Sequence, residues 1–417
     1  MNMLDRRAWS PLRLLSWASF VAVLLLSARP ASAYPWMIRH QYQGCVPCHA
    51  DPSGAGLLTE YGRAMGENIL RTRYGVEPPD EPSSVARFLW GVPTPDWLLL
   101  GGSIRNAVYI TKGPGTPWSE SFLQMEADLK AQVTLSRFRA YGSLGYNYEP
   151  AHYGTDNITS FANNNLVSRE HWIGVDLGDD KQFLLRAGRI DIPFGIRNDE
   201  HELLTRSTLT TRTNIGESQQ DGVAFSYNGE KLRGEIMAIL GNYQINPDSV
   251  RERGYAGFLE LNVAQGMSVG ASSLITYARY DFINQTPHTL RQVHGVFARL
   301  SPVEPLVILA EADAMFTSFT ANTMTTGGTQ DGFVSTVQLD LEPTQGLHLV
   351  ATGEAMVQNG YVTSPTAPGI LAKSFDGWAT VLWFFAPHAD FRLDFVAASV
   401  QNGSTGYYLL PQLHVYL

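Results

Sequence analysis

The residues most able to do chemistry are Cys45-Val46-Pro47-Cys48-His49. Two thiols at this spacing can form thioethers with both vinyl groups of a haem, and the adjacent imidazole then lies beneath the iron as its proximal ligand. These are the only two cysteines of the chain. A disulfide framework is therefore excluded, and no second pair exists to complete a zinc site. A redox-active dithiol or a local disulfide between Cys45 and Cys48 is the competing reading of the same residues. The expectation is one c-type haem held by Cys45, Cys48 and His49.

A sixth iron ligand has several candidates. In Leu57 to Leu70, the residues Leu58, Tyr61, Met65 and Ile69 recur at steps of three and four, which places them on one face of a short helix. Met65 is the distal ligand that this face offers, although a methionine there can also simply pack against a porphyrin. His40 and Met37 compete from the N-terminal side, and an open position is the remaining alternative. Pro52-Ser53-Gly54-Ala55-Gly56 reads as a tight return loop. Arg63 is placed either against a haem propionate or on the solvated surface.

The segments around this motif set its context. Residues 1–33 read as a signal peptide: Arg6, Arg7 and Arg13 precede an apolar run from Leu14 to Ala28, and Ala31-Ser32-Ala33 supplies a small-residue cleavage site. Residues 34–76 form the haem segment, and residues 77–96 form a proline-rich linker with Pro78, Pro79, Pro82, Pro93 and Pro95. Removing the signal leaves 26 basic and 38 acidic residues, a net charge of −12. That charge repels phosphate backbones, so no nucleic-acid partner is expected.

Residues 97–417 change to a period of two. In Phe122 to Leu135, the residues Leu123, Met125, Ala127, Leu129, Ala131 and Val133 alternate with Gln124, Glu126, Asp128, Lys130, Gln132 and Thr134. The expected fold is mainly β: about sixteen antiparallel strands, the first near 97–110 and the last near 406–417, closed into a transmembrane barrel. Short connections such as Arg137, Ala264 to Gly266 and Ala386 to His388 alternate with longer ones, as periplasmic turns and outer loops do. Tryptophans and tyrosines near the strand ends, Trp172, Trp378 and Tyr416 among them, are assigned to interfacial girdles.

The long connection from Pro193 to Ser218 resembles the constriction loop of porins, which folds inward; the competing reading is an exposed loop, and His201 between Glu200 and Glu202 is a weak metal candidate. The register points Glu126, Asp128, Glu235, Glu260, Glu311, Asp313, Asp340, Glu354 and Asp394 into the lumen, together with Lys130, Arg139, Arg186, Arg233 and Arg392. An acidic, cation-drawing pore and a mixed-charge, merely wet one are both compatible with that set.

The order of these parts, with Tyr61-Gly62-Arg63 after the haem motif, resembles the fused monohaem cytochrome-porins of bacterial outer membranes, the group containing the outer-membrane iron oxidases. The motif covers some thirty residues, whereas the architecture covers the whole chain. This resemblance implies outer-sphere electron transfer across the outer membrane, with a soluble periplasmic cytochrome or other carrier on one side and an extracellular donor or acceptor, such as ferrous iron, on the other. It requires no acid-base pair or nucleophile, and the sequence presents none. The alternative is a passive porin with an accessory or structural haem.

Overall fold

The computed structural model describes residues 35–42, 44–54, 56–75, 87–146, 166–198, 200, 202–207, 219–243, 248–281, 286–320, 327–359, 372–399 and 404–417. The expected signal peptide, His201 and residues 77–86 of the proline-rich linker lie outside them.

Alternating side chains along each strand give one sheet closed on itself. The strands are β1 (Leu98–Lys112), β2 (Ser119–Leu135), β3 (Phe138–Tyr146), β4 (Leu166–Val167), β5 (His171–Leu177), β6 (Phe183–Asp191), β7 (Gln219–Asn228), β8 (Leu232–Gly241) and β9 (Arg253–Ala264). They continue as β10 (Met267–Tyr280), β11 (Pro287–Val303), β12 (Leu306–Phe319), β13 (Gly328–Thr344), β14 (Leu347–Gln358), β15 (Ala372–Ala386), β16 (Ala389–Ser399) and β17 (Thr405–Tyr416). Neighbours in sequence pair antiparallel, and β4 and β5 both pair with β3, so they are two pieces of one stave and the barrel has sixteen. Closure is made by β1 on β17, with Ser103 opposite Tyr416 and Lys112 opposite Tyr407. Leu417 and Gly102 complete the seam by exchanging backbone hydrogen bonds of 2.8 and 3.2 Å.

The connections alternate as the sequence implied. Gly266 and Gly346, with φ of +69° and +81°, take a left-handed conformation that tight hairpin turns need and that glycine adopts without strain. Both turns lie at the same end of the barrel as the chain's C-terminus.

The outward face is apolar. Leu129, Phe138, Ile173 and Val296 are each 60–67% exposed, and no other part of the protein covers them. A closed barrel with this exterior satisfies every backbone polar group internally while offering hydrocarbon to its surroundings, which is the condition for crossing a bilayer with strands. The aromatic assignments split: Trp97 and Trp118 are exposed, but Trp172, Trp378 and Tyr416 are buried inside the barrel. Their positions fall on the inward phase of the pleat, and phase overrides nearness to a strand end.

The core lies in the lumen. Residues 35–75 enter from the short-turn end and fill the barrel: Ile38 packs with Phe258, Phe297, Val307 and Leu309, while Leu57 joins a cluster with Tyr141, Trp172 and Leu184. Burying each such side chain contributes about 1.5–3 kcal/mol. The expected helix is present as Glu60–Met65, continued by a wider π turn over Gly66–Leu70 and preceded by a 3-10 turn over Pro35–His40.

Candidate functional site

The site is built on one tight turn. The amides of Cys48 and His49 both donate to the Cys45 carbonyl, at 3.1 and 3.0 Å, which winds the five-residue motif into a single helical turn. A short antiparallel clip follows, with Ala50 N–H on the Leu57 carbonyl at 2.9 Å and Thr59 N–H on the Cys48 carbonyl at 2.9 Å. Thr59 thereby arrives where its hydroxyl accepts the Gly62 N–H at 3.0 Å and caps the helix. Gly62 lies directly against the backbone of Cys48: a methyl group there would sit 2.9 Å from Cys48 Cα. Only glycine lets the helix approach the thiol turn this closely.

Both thiols are unbridged and buried, and His49 is buried beside them. The local disulfide is therefore not what this structure shows. Cys45 Sγ accepts from Arg233 Nη1 at 3.1 Å, and Arg233 is held in turn by Glu260.

The loop after the motif returns the chain as expected and is fastened to the wall. Asp51 accepts Ser53 N–H and Oγ–H at 2.8 and 2.7 Å and takes a two-pronged contact from Arg186 at 2.8 and 3.1 Å. Arg186 also pairs with Glu235 at 2.6 Å. Burial by itself raises the Asp51 carboxyl, but the Arg186 and Arg197 guanidiniums outweigh it and bring its pKa down to about 2.

The ligand candidates separate. Met65 is half-buried and its sulfur accepts from the Tyr42 hydroxyl at 2.7 Å. That hydroxyl is pushed up by burial, then by its hydrogen bond to Tyr61, with the neighbouring Cys48 thiol adding to the effect. Tyr42 thus ties Met65 to Tyr61 on the covering helix. Met37 is instead fixed among Leu70, Leu382 and Phe384, and His40 Nε2 stands 3.4 Å from Glu342. Arg63 is not a surface arginine: it is 1% exposed, donates to the Leu100 carbonyl, and keeps its Nε buried without an acceptor among the described groups.

The connection after β6 folds inward. Ile192, Phe194, Ile196 and Leu203 are buried, and two wall carboxylates hold its backbone: Glu311 accepts from Ile196 N–H at 3.0 Å and Glu354 from Leu204 N–H at 2.6 Å. Glu200 pairs with Arg392 on the opposite side. The exposed-loop alternative is corrected on this point. The lumen charges are largely paired across strands and with the N-terminal segment, as in Arg39 with Asp340 at 2.5 Å, so the interior is of mixed charge rather than a free acidic funnel.

Sequence reasoning missed Tyr42, Asp51 and the wall residues that grip the segment as partners of the motif. Pleat phase had already turned Arg186 and Arg233 inward, but nothing in one dimension says which part of the chain they meet.

No protein-family model and no curated protein matches the chain. Among solved structures, it is similar to the loop L8 deletion mutant of OmpT, an outer membrane protein of Vibrio cholerae, with a TM-score of 0.58 at 10% identity over 77% of this chain and 99% of that one. It is also similar to the outer membrane channel DcaP of Acinetobacter baumannii, at TM-score 0.54 and 12% identity over 77% and 97%. A third likeness is to the anion-selective porin from Comamonas acidovorans, at TM-score 0.54 and 9% identity over 77% and 99%. At these identities the shared property is the porin-like barrel fold.

Proposed function

We propose that this chain is an outer-membrane barrel of the cytochrome-porin kind, carrying one c-type haem on Cys45 and Cys48 and relaying single electrons between a periplasmic carrier and a donor or acceptor outside the cell. The observation that carries this reading is the thiol-imidazole turn itself: two unbridged cysteines and a histidine, each buried, seated inside the lumen by Asp51 and Arg186. The donor set suits the group chemically. His49 would serve as one iron ligand and Met65 would be the candidate for a second, and the buried Arg63 Nε lacks an acceptor that a propionate would supply. When bound, the haem supplies one-electron redox chemistry.

The chain's own contribution is position. It holds the turn within the barrel wall rather than beside it, and it leaves the Tyr61 edge of the covering helix 47% exposed for contact with a soluble carrier. An outer-membrane location follows from the sixteen-stave barrel, its apolar exterior and the alternation of short and long connections.

The fold likenesses taken alone favour the plainer alternative, a passive porin with an accessory or structural haem, because the similar proteins are an outer membrane channel and a porin. The N-terminal segment packed against the inner wall favours the relay. One experiment separates them: the protein, produced with cytochrome maturation and reconstituted in liposomes, is reduced and challenged with an acceptor on the far side. Reoxidation with little ion conductance supports the relay. Conductance without reoxidation establishes the porin, and the lack of a pyridine-haemochrome spectrum removes haem from both.

A further inference from the structure

A separate group of polar side chains lies on the inner wall, on β10, β11 and β12. Ser272 on β10, Gly295 on β11 and Asp313 on β12 are directly opposite one another across three adjacent strands. Gly295 has no side chain, and its neighbours lean into the space: Asp313 Oδ1 occupies the place a methyl group would take, and Ser272 Oγ lies 3.0 Å from that point. Asp313 is fully buried and Ser272 is 6% exposed, yet neither carboxylate oxygen of Asp313 nor the Ser272 hydroxyl has a hydrogen-bond partner among the described groups. Glu311 stands two residues along the same inward face, adding a second carboxyl group. Its carboxylate is wedged beneath the inward-folded connection, where Gly195 at φ +59° leaves room for it.

Other lumen acids have a built-in cation: Glu260 has Arg233 and Arg299, Asp394 has Arg392, and Asp340 has Arg39. Asp313 has none of these contacts. A buried carboxylate without a paired charge either takes up a proton or binds a cation.

We propose that Asp313 and Ser272, with Glu311 two residues along the same inward face, form a binding site for a hard divalent cation on the inner wall at β10 to β12. Oxygen-only ligands, two of them carboxylates, select such ions, and water completes the coordination. The proposal is independent of haem.

The test uses the full-length, detergent-purified protein and Mn²⁺, followed by calorimetry and by the electron paramagnetic resonance signal of the free ion. One saturable Mn²⁺ per chain is expected, displaced by Ca²⁺, with affinity reduced at least about tenfold in Asp313→Asn and several-fold in Ser272→Ala. Glu126→Gln, which alters a lumen acid already paired with Lys130, should bind as the unaltered protein does. Absence of saturable binding in the unaltered protein overturns the site and assigns Asp313 a proton instead. Binding that survives both substitutions overturns it too. Should Asp313→Asn fail to assemble, Ser272→Ala alone decides, because it removes one ligand and no charge.

Discussion

At the scale of single residues, the N-terminal segment is held by a few buried polar contacts whose loss is measurable. Asp51 has a folded pKa of about 2 against an ordinary 3.8, so its contribution is complete above about pH 4 and disappears as pH falls towards 2. Protease protection of residues 35–75 should therefore be constant from pH 7 to 5 and drop across that acid window. Asp51→Asn should show reduced protection already at pH 7, by about 3–5 kcal/mol if Arg186 is left partly unpaired, and should lack the acid step. An unchanged step in the variant would assign it to another carboxylate. Gly62 gives a second test. Gly62→Ala forces the helix away from Cys48, and at about 1–3 kcal/mol of overpacking it should lower covalent haem content, read by haem-stained gel against total protein.

At the scale of elements, the decisive feature is that two segments share the lumen. The segment 35–75 occupies the short-turn half, and the connection after β6 is hooked by Glu311 and Glu354 above it. Gly195 is required there both by its positive φ and by the Glu311 carboxylate, which fills the space of a side chain. Gly195→Val should lift this connection from the wall. The expected outcome is a rise in single-channel conductance over the parent, with the barrel still resistant to unfolding in detergent. Equal conductance would mean that the N-terminal segment alone closes the pore.

At the scale of the whole molecule, stability comes from two different surroundings. The lumen is packed like a soluble core, whereas the exterior needs lipid. Val296, 62% exposed near the middle of β11, tests the second statement. Val296→Arg should cost about 2–4 kcal/mol in refolding from urea into bilayers. The same change should cost little if this face met water instead.

The sequence alone determined the barrel, its sixteen staves and the Cys-x-x-Cys-His spacing on which the proposed haem rests. Strand phase, turn chemistry and a cysteine-histidine spacing are local properties, each written within a few residues of where it acts. Phase was also enough to send Arg186, Arg233 and Asp313 inward. Only the tertiary structure decided that the motif lies inside the cylinder, that Asp51 meets Arg186 across 135 positions of chain, and that Met37 packs with Leu70 and Phe384 while His40 stands beside Glu342. It also decided that Trp172, Trp378 and Tyr416 fill the interior. Such pairings depend on which distant surfaces closure brings face to face, and a closed sheet fixes that through its register around the whole ring.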